Sequence, residues 1–133
     1  VREAVSEMRE DGAIDLSGAI RTLVEGVPAL DIRLELPEPL NIEDPDRAHV
    51  LLRCTQEIIT NAVRHAEAER VVVSLRRNGD RLHLRIADDG RTRAPIRAGH
   101  GLTGMRERID EQGGELTIEH ASPGTTLNVV LPA

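Results

Sequence analysis

The strongest helix signal in the chain lies in residues 46–66, which read DRAHVLLRCTQEIITNAVRHA. At about 100° per residue on a helical wheel, the small and apolar residues of this stretch fall on one broad stripe. The stripe consists of Ala48, Leu51, Leu52, Thr55, Ile58, Ile59, Ala62, Val63 and Ala66. A stripe of that width predicts a helix that packs one side on a core.

Another face of the same helix carries Glu57, Asn61 and Arg64, at steps of four and three residues. A carboxylate, an amide oxygen and a guanidinium are suited to Mg²⁺, a water molecule and phosphate. His65 lies between this polar face and the apolar stripe. A solvated helix surface is the alternative, and for the three polar residues taken alone it is the better interpretation.

Two strands are predicted next, at residues 70–77 and 81–88, with Asn78-Gly79 as the hairpin turn because both residue types tolerate positive φ. Asp88 ends the second strand and shares one face with Leu82, Leu84 and Ile86. A carboxylate in line with a buried row needs a partner, because burying it unpaired is costly. A ligand amino group fits that need. The alternative is an ordinary turn at a strand end, where Asp-Gly is common.

Residues 1–27 have a helical pattern in two pieces, broken near Asp11-Gly12. Asp15 or Ser17 is expected to cap the second piece, and Pro28 to end it. Residues 32–36 then alternate apolar and polar side chains as a half-buried strand. The prolines between positions 37 and 45 mark a connecting loop.

The last third of the chain supplies one more helix and two strands. Leu102, Met105 and Ile109 predict a helix that stops at Gly113-Gly114. Strands are predicted around residues 116–118 and 127–131, with a turn at 122–124. Helices interleaved with largely antiparallel strands predict a two-layer α/β sandwich, in which one mixed, mostly antiparallel sheet packs on one layer of helices.

Residues 99–105 read GHGLTGM and place three glycines, Gly99, Gly101 and Gly104, before or within the start of that helix. Exposed backbone N–H groups at such a helix start favour phosphate. Three arginines precede the glycines, at Arg91, Arg93 and Arg97. They are suited to a polyphosphate, although a plain glycine loop with solvated arginines is the simpler alternative.

Thr125 follows Gly124 at the start of the final strand. It has the same phase as Leu127, Val129 and Leu131, so its hydroxyl is predicted to point inward. Spacing alone favours a core threonine with a satisfied hydroxyl over a ligand contact.

Composition excludes several function classes. The 133 residues suit one domain, and 39% hydrophobic with 30% charged residues is typical of a soluble globular protein. All 17 basic residues are arginine, which excludes a P-loop and a eukaryotic-type protein kinase, because both place a lysine on the phosphates. The absence of Phe, Tyr and Trp excludes an aromatic platform for single-stranded nucleic acid.

The net charge of −6 gives no broad electrostatic footprint for nucleic acid. No apolar run approaches the length of a membrane span. As a separate prediction, we expect a cytoplasmic domain without direct membrane contact. The single cysteine, Cys54, lies in the apolar helix pattern and is expected to be a small buried side chain. Because the chain begins with Val1, we interpret it as an excised or processed piece of a longer protein.

Taken in this order, these segments resemble the ATP-binding domain shared by gyrase, mismatch-repair ATPases, a heat-shock chaperone and histidine kinases (the GHKL type). Residues 56–66 resemble its N box, Asp88-Asp89-Gly90 the start of its G1 box, and residues 99–108 its G2 box. The sequences of these motifs are most similar to those of the nitrate-sensor and DesK-like sensor histidine kinases. The resemblance covers about residues 15–132 and implies the Bergerat ATP-binding fold.

The resemblance implies a role for each matching residue. Asn61 would bind the Mg²⁺ that bridges the ATP phosphates. Glu57 would orient a water or act as a base near the γ-phosphate, and Arg64 would contact phosphate. Asp88 would accept a hydrogen bond from the adenine amino group. The other implied nucleotide contacts are His65, Gly90, Gly99, His100, Gly101, Leu102, Gly104 and Thr125.

The resemblance further implies the catalytic domain of a sensor histidine kinase at residues 15–133, preceded at residues 1–14 by the end of a dimerisation and phosphoacceptor hairpin. Its partners would be that hairpin domain and a response regulator. Residues 1–30 contain no histidine, so the isolated chain is expected to bind ATP but not to phosphorylate itself. Whether the parent protein is anchored in a membrane stays open.

One departure from the family pattern concerns the loop after Gly90. The G1 box usually has a second glycine two residues later, where this chain has Thr92, and the loop at residues 91–98 is short. Two alternatives stay open at this point, and the first of them follows from this departure. One is a degenerate, non-catalytic nucleotide-binding or interaction module, and the other is an ATPase or an anti-sigma serine kinase of the same fold.

Overall fold

The computed structural model describes residues 13–28, 30–64, 68–90, 102–120 and 124–132. In those ranges the helices are α1 (Leu16–Glu25), α2 (Pro45–Arg64) and α3 (Leu102–Glu111). The strands are β1 (Ile14–Asp15), β2 (Asp31–Glu35), β3 (Asn41–Ile42), β4 (Arg70–Asn78), β5 (Arg81–Asp88), β6 (Glu115–His120) and β7 (Thr125–Pro132).

Five of the strands form one sheet in the order β2-β4-β5-β7-β6. β2 pairs with β4 in parallel, and every other neighbouring pair in this sheet is antiparallel. Helix α2 packs on β4, β5 and β7, so helices cover one face of the sheet. The predicted two-layer α/β sandwich with a mixed, mostly antiparallel sheet is confirmed.

The core between the two layers is aliphatic. Alternate residues of the three central strands are buried against the helices: Val71, Val73, Leu75, Leu82, Leu84, Ile86, Leu127, Val129 and Leu131. The apolar stripe of α2 packs on them, although Val63 at the end of the stripe is 43% exposed, so its predicted burial is wrong. Cys54 is buried as predicted, and desolvation raises the pKa of its thiol to about 12, which keeps it protonated.

Helix α1 begins at one of the two residues that the sequence offered as its N-cap. The Oδ1 atom of Asp15 accepts hydrogen bonds from the backbone N–H of Gly18 at 3.2 Å and of Leu40 at 3.1 Å. The hydroxyl of Ser17, the other candidate, donates instead to the carbonyl oxygen of Pro37. The helix ends at Glu25, three residues before the proline that was expected to stop it.

An additional strand and the position of a hairpin turn differ from the sequence prediction. The segment predicted as a plain loop contains β3, which pairs with β1 as a two-stranded antiparallel ribbon, too short to show a periodic pattern. In the β4–β5 hairpin Asn78 pairs with Arg81, so the turn is Gly79-Asp80, and Gly79 has the positive φ of +59°.

Some predicted features lie outside the described residues. They are the first helical piece within residues 1–12, the last residues predicted for the long helix at 65–66, and the turn residues 122 and 123. The long helix itself begins one residue earlier than predicted, at Pro45.

Helices α2 and α3 pack against each other on the covered face of the sheet. In the first turn of α2, Arg47 Nε donates to the Oε1 atom of Gln112, just beyond the end of α3, at 3.2 Å. Met105 and Ile109 of α3 are buried in the core. A groove between the two helices is lined by Arg53 and Gln56 of α2 and by Met105 and Arg108 of α3. No helix in the described ranges is both long and apolar enough to cross a lipid bilayer.

Candidate functional site

Asp88 ends β5 on the face of the sheet that the helices cover. The apolar residues in phase with it on β5, Leu82, Leu84 and Ile86, have no exposed surface, whereas Asp88 itself is half-buried. Its Oδ1 atom accepts a hydrogen bond from the backbone N–H of Gly90 at 2.8 Å. Its Oδ2 atom has no hydrogen-bond partner among the described residues. The second oxygen is therefore placed to accept a hydrogen bond from a ligand.

The β7 strand approaches Asp88 from the other side. Gly124 has a φ of +111°, and a Cβ atom built on it would lie 2.2 Å from the carbonyl oxygen of Asp88. Only glycine fits a backbone in that conformation at that distance. Thr125 is the cross-strand partner of Asp88 and is half-buried, which agrees with its predicted inward phase.

His120 extends this line of residues, and the sequence analysis assigned it no role. Val71, Asp88, Thr125 and His120 are successive Cα partners across β4, β5, β7 and β6. The Nδ1 atom of His120 lies 3.5 Å from the Oγ1 atom of Thr125. The period of two from Leu116 would have placed His120 on the inner face, but only the register of β6 on β7 brings it to Thr125.

Asp89 is a second residue that the sequence analysis left without a role of its own. Its Oδ1 atom accepts hydrogen bonds from the backbone N–H groups of Glu69 and Arg70, each at 2.9 Å. The backbone N–H of Arg70, joined by that of Glu69, holds the pKa of Asp89 below its ordinary value of 3.8, against a smaller opposing effect of burial. Asp89 therefore joins the end of β5 to the start of β4 as an ionised carboxylate.

The predicted polar face of α2 lies in its last turns. Glu57 and Asn61 are half-buried and Arg64 is exposed. None of the three side chains has a hydrogen bond or ion pair with another described residue. An uncommitted carboxylate, amide and guanidinium on one face leave their polar groups available to a ligand.

The chain connects this face to the strand that pairs with Asp88. Arg64 ends α2 and Arg70 begins β4 six residues later, so their Cα atoms are at most about 20 Å apart. Val71, the next residue of β4, is the cross-strand partner of Asp88. A short segment therefore links the end of α2 to the strand partner of Asp88, and a site shared by the two ends stays a prediction.

The start of α3 carries further predicted contacts. Gly104 lies in its first turn, and among the described residues a Cβ atom there would meet only the Nη1 atom of Arg108, at 3.7 Å. Packing within the described ranges therefore does not require the glycine. Leu102 is the first residue of this helix. The predicted contacts that lie outside the described residues are His65, Gly99, His100 and Gly101.

A metal at this site would depend on its ligand for most of its coordination. Among the described residues, no group of three or more His, Cys, Asp or Glu side chains is placed to hold a metal ion. Mg²⁺ is commonly bound by one or two protein oxygens together with water and substrate phosphates. The single amide oxygen of Asn61 fits that pattern better than a cage of protein ligands.

Comparison with known proteins identifies the family of the chain. The family model described as histidine kinase-, DNA gyrase B-, and HSP90-like ATPase matches residues 46–133. The chain is 35% identical over 89 residues to sensor histidine kinase YxjM of Bacillus subtilis, covering 66% of this chain and 22% of that protein. It is 30% identical over 135 residues to sensor histidine kinase DesK of the same organism, covering 99% and 36%. The chain thus spans far less than two thirds of these curated relatives.

Solved structures share the fold at low sequence identity. The histidine kinase domain of the Erythrobacter litoralis EL346 blue-light activated histidine kinase aligns with a TM-score of 0.74 and 21% identity, over 98% of this chain and 68% of that one. A mycobacterial sensor histidine kinase, MprB, aligns with a TM-score of 0.69 and 22% identity, over 90% and 95%. Since the family model matches well over half of the chain, the resemblance is confirmed, and the chain belongs to the family of histidine kinase-, DNA gyrase B- and HSP90-like ATPases.

Proposed function

We propose that this chain is the ATP-binding catalytic domain of a two-component sensor histidine kinase. In this proposal it holds ATP with Mg²⁺ so that the γ-phosphoryl group reaches a histidine on a separate dimerisation and phosphoacceptor domain. A response regulator then receives the phosphoryl group. Membership of an ATPase family and relatives that are sensor histidine kinases support the proposal. Because the chain matches only part of those relatives, the transfer is proposed for a longer parent protein.

The observation that supports the proposal most directly is the hydrogen bonding of the two oxygens of the Asp88 carboxylate. One oxygen is fixed by the N–H of Gly90, and the other has no partner among the described residues, at the end of a buried apolar row. An adenine ring has a flat apolar surface and an amino group at one edge. The amino group would satisfy the free oxygen while the ring remains against aliphatic side chains. Thr125, opposite Asp88, would support the same end of the nucleotide.

The phosphate end is assigned to the polar face of α2 and the start of α3. Asn61 would hold the metal through its amide oxygen, Glu57 would orient a water or accept a proton, and Arg64 would contact phosphate. The backbone N–H groups at the start of α3 would bind a phosphate oxygen. When bound, Mg²⁺ neutralises charge on the phosphate oxygens. In phosphoryl transfer, positioning and charge stabilisation of this kind supply most of the catalysis.

The nucleophile in this mechanism is an imidazole of the phosphoacceptor domain, outside the catalytic domain assigned to residues 15–133. The isolated chain is therefore proposed to bind nucleotide without phosphorylating itself. A cytoplasmic location and the membrane attachment of the parent protein stay predictions of the same kind. The described residues favour neither of the two alternatives, the degenerate module and the ATPase or serine kinase.

Calorimetric titration of the chain with Mg-ATP tests the proposal. We expect a saturable heat at nucleotide concentrations up to the millimolar range, and a response that weakens when Mg²⁺ is removed. Absence of heat at millimolar nucleotide contradicts the proposal and favours the non-catalytic module. Radiolabelled phosphate that appears stably on the isolated chain contradicts the assignment of the nucleophile to another domain.

A further inference from the structure

Asp89 fixes the backbone at the point where β5 ends. Its Oδ1 atom accepts the N–H groups of Glu69 and Arg70, both at 2.9 Å, and its own N–H donates to the carbonyl oxygen of Arg70 at 3.2 Å. A further hydrogen bond links this segment to the edge strand of the sheet, because the carbonyl oxygen of Glu69 accepts from the N–H of Asp31 in β2 at 3.0 Å. Residue 89 is thus held by three hydrogen bonds, two to Arg70 at the start of β4 and one to Glu69 just before it.

The same peptide segment controls the orientation of Asp88. Asp88 Oδ1 accepts from the N–H of Gly90, so the carboxylate is held by a group one residue beyond Asp89. On its other side, the carbonyl oxygen of Asp88 lies within contact of Gly124, too close for a Cβ atom. Any rotation of the backbone at Asp89 would move the Gly90 N–H away from the Asp88 carboxylate. The Asp89 side chain is therefore connected to that carboxylate through a single short piece of backbone.

We propose that Asp89 is a positioning residue of the nucleotide site, which sets the orientation of the Asp88 carboxylate and with it the preference for adenine. This inference rests on the proposed role of Asp88 as the acceptor for the adenine amino group. Asp89 itself faces the backbone of β4 and does not touch the nucleotide. An ionised carboxylate is a stronger acceptor for N–H groups than a neutral amide, so aspartate holds the segment better than asparagine.

The first test uses the nucleotide-free chain and follows the backbone amide of Gly90 by hydrogen exchange in NMR spectra. In Asp89→Ala we expect exchange of the Gly90 amide at least tenfold faster than in the wild type, because its acceptor is no longer held in place. Asp89→Asn keeps an acceptor oxygen and is expected to lie between the two. Asp110→Ala, an exposed aspartate on α3, is the matched control and is expected to leave Gly90 unchanged.

The second test compares ATP with purine riboside triphosphate, which lacks the 6-amino group, in calorimetric titrations. We expect the wild type to prefer ATP by about tenfold or more, which corresponds to about 1.4 kcal/mol. Asp89→Ala should lose most of this preference, and Asp89→Asn should keep part of it. In an Asp88→Asn background, Asp89→Ala should change ATP affinity by less than about twofold, because the group it positions is already altered.

The outcomes separate a positioning role from a merely structural one. If Asp89→Ala lowers the affinity for both nucleotides equally, or leaves the Gly90 amide unchanged, the inference is wrong. Asp89→Asn gives the same two readouts if the alanine variant does not fold. A wild-type chain that binds no nucleotide contradicts the proposed function alone, since the Gly90 amide still reports whether Asp89 controls the Asp88 carboxylate.

Discussion

The backbone of Gly124 passes so close to Asp88 that a Cβ atom on residue 124 would lie 2.2 Å from the Asp88 carbonyl oxygen. This approach joins β7 to β5 at the end of the sheet where one oxygen of the Asp88 carboxylate has no partner among the described residues. The stability of the fold and the geometry of the proposed adenine site therefore depend on the same contact.

Replacing Gly124 by alanine should destabilise the chain by about 2 kcal/mol or more. The φ of +111° is strained for any residue with a side chain, at about 1–3 kcal/mol, and the added methyl would also displace Asp88. Urea denaturation measures the change as a shift of the midpoint at constant slope. Gly104→Ala is the control, because in the part of the chain that the structure describes its Cβ atom would meet only Arg108 Nη1 at 3.7 Å. Alanine there should stabilise α3 by up to about 1 kcal/mol. Equal stability of Gly124→Ala and the wild type would contradict this account.

Replacing Asp88 by asparagine should weaken ATP binding by about tenfold to a hundredfold, or about 1.5–3 kcal/mol. The amide oxygen is expected to keep the hydrogen bond from Gly90, which turns the NH₂ group toward the adenine amino group and sets donor against donor. Calorimetry with Mg-ATP measures the loss. Stability should change little, because the half-buried carboxylate has no cation partner among the described residues. An unchanged ATP affinity would remove the role assigned to Asp88.

Periodic patterns within single elements explain which parts of the site were predictable. The alternation that ends in Asp88 placed its side chain on the inner face, and the alternation that starts at Thr125 did the same. In both strands the neighbouring apolar residues are buried, so the alternation in the sequence correctly predicts the face of the sheet on which they lie. The N-cap is also a local contact, since the Asp15 acceptor and the Gly18 N–H are three residues apart, but the sequence left Asp15 and Ser17 both open as the cap.

Contacts between distant segments were not predictable, because local sequence patterns do not indicate which distant residues pair. The β1–β3 ribbon pairs Ile14 with Ile42 over only two residues per strand, below the length at which alternation becomes visible. The tie from Asp89 to Arg70 depends on where β4 begins relative to the end of β5. His120 faces Thr125 only because of the register of β6 on β7. In each case sheet register, which the sequence analysis did not specify, decides the contact.

Replacing Asn61 by alanine should abolish most of the gain in ATP affinity that Mg²⁺ provides, while leaving stability within about 0.5 kcal/mol. Asn61 is half-buried and has no hydrogen bond to another described residue, so its loss leaves no described group unpaired. The measurement is the ATP affinity with and without Mg²⁺ for the wild type and the variant. His49→Ala, an exposed change three turns earlier on α2, should keep the full Mg²⁺ dependence. An Asn61→Ala variant that keeps it as well would show that the metal is held elsewhere.

Asp89 should make the stability of the chain fall in acid. Its pKa in the folded chain is lowered, first by the backbone N–H of Arg70, so the folded state favours the ionised carboxylate more than the unfolded state does. The stabilisation is therefore complete above the unfolded pKa near 3.8 and is lost as the pH falls through the lower folded value.

Denaturation of the wild type and of Asp89→Asn between about pH 6 and pH 2 measures this contribution, because the amide does not titrate. We expect the wild type to be the more stable protein at pH 6 and the difference to shrink steadily below about pH 4. Asp110→Asn, on the exposed side of α3, should follow the wild type across the whole range. A difference between wild type and Asp89→Asn that stays constant with pH would mean that the hydrogen bonds from Glu69 and Arg70 do not depend on the charge of Asp89.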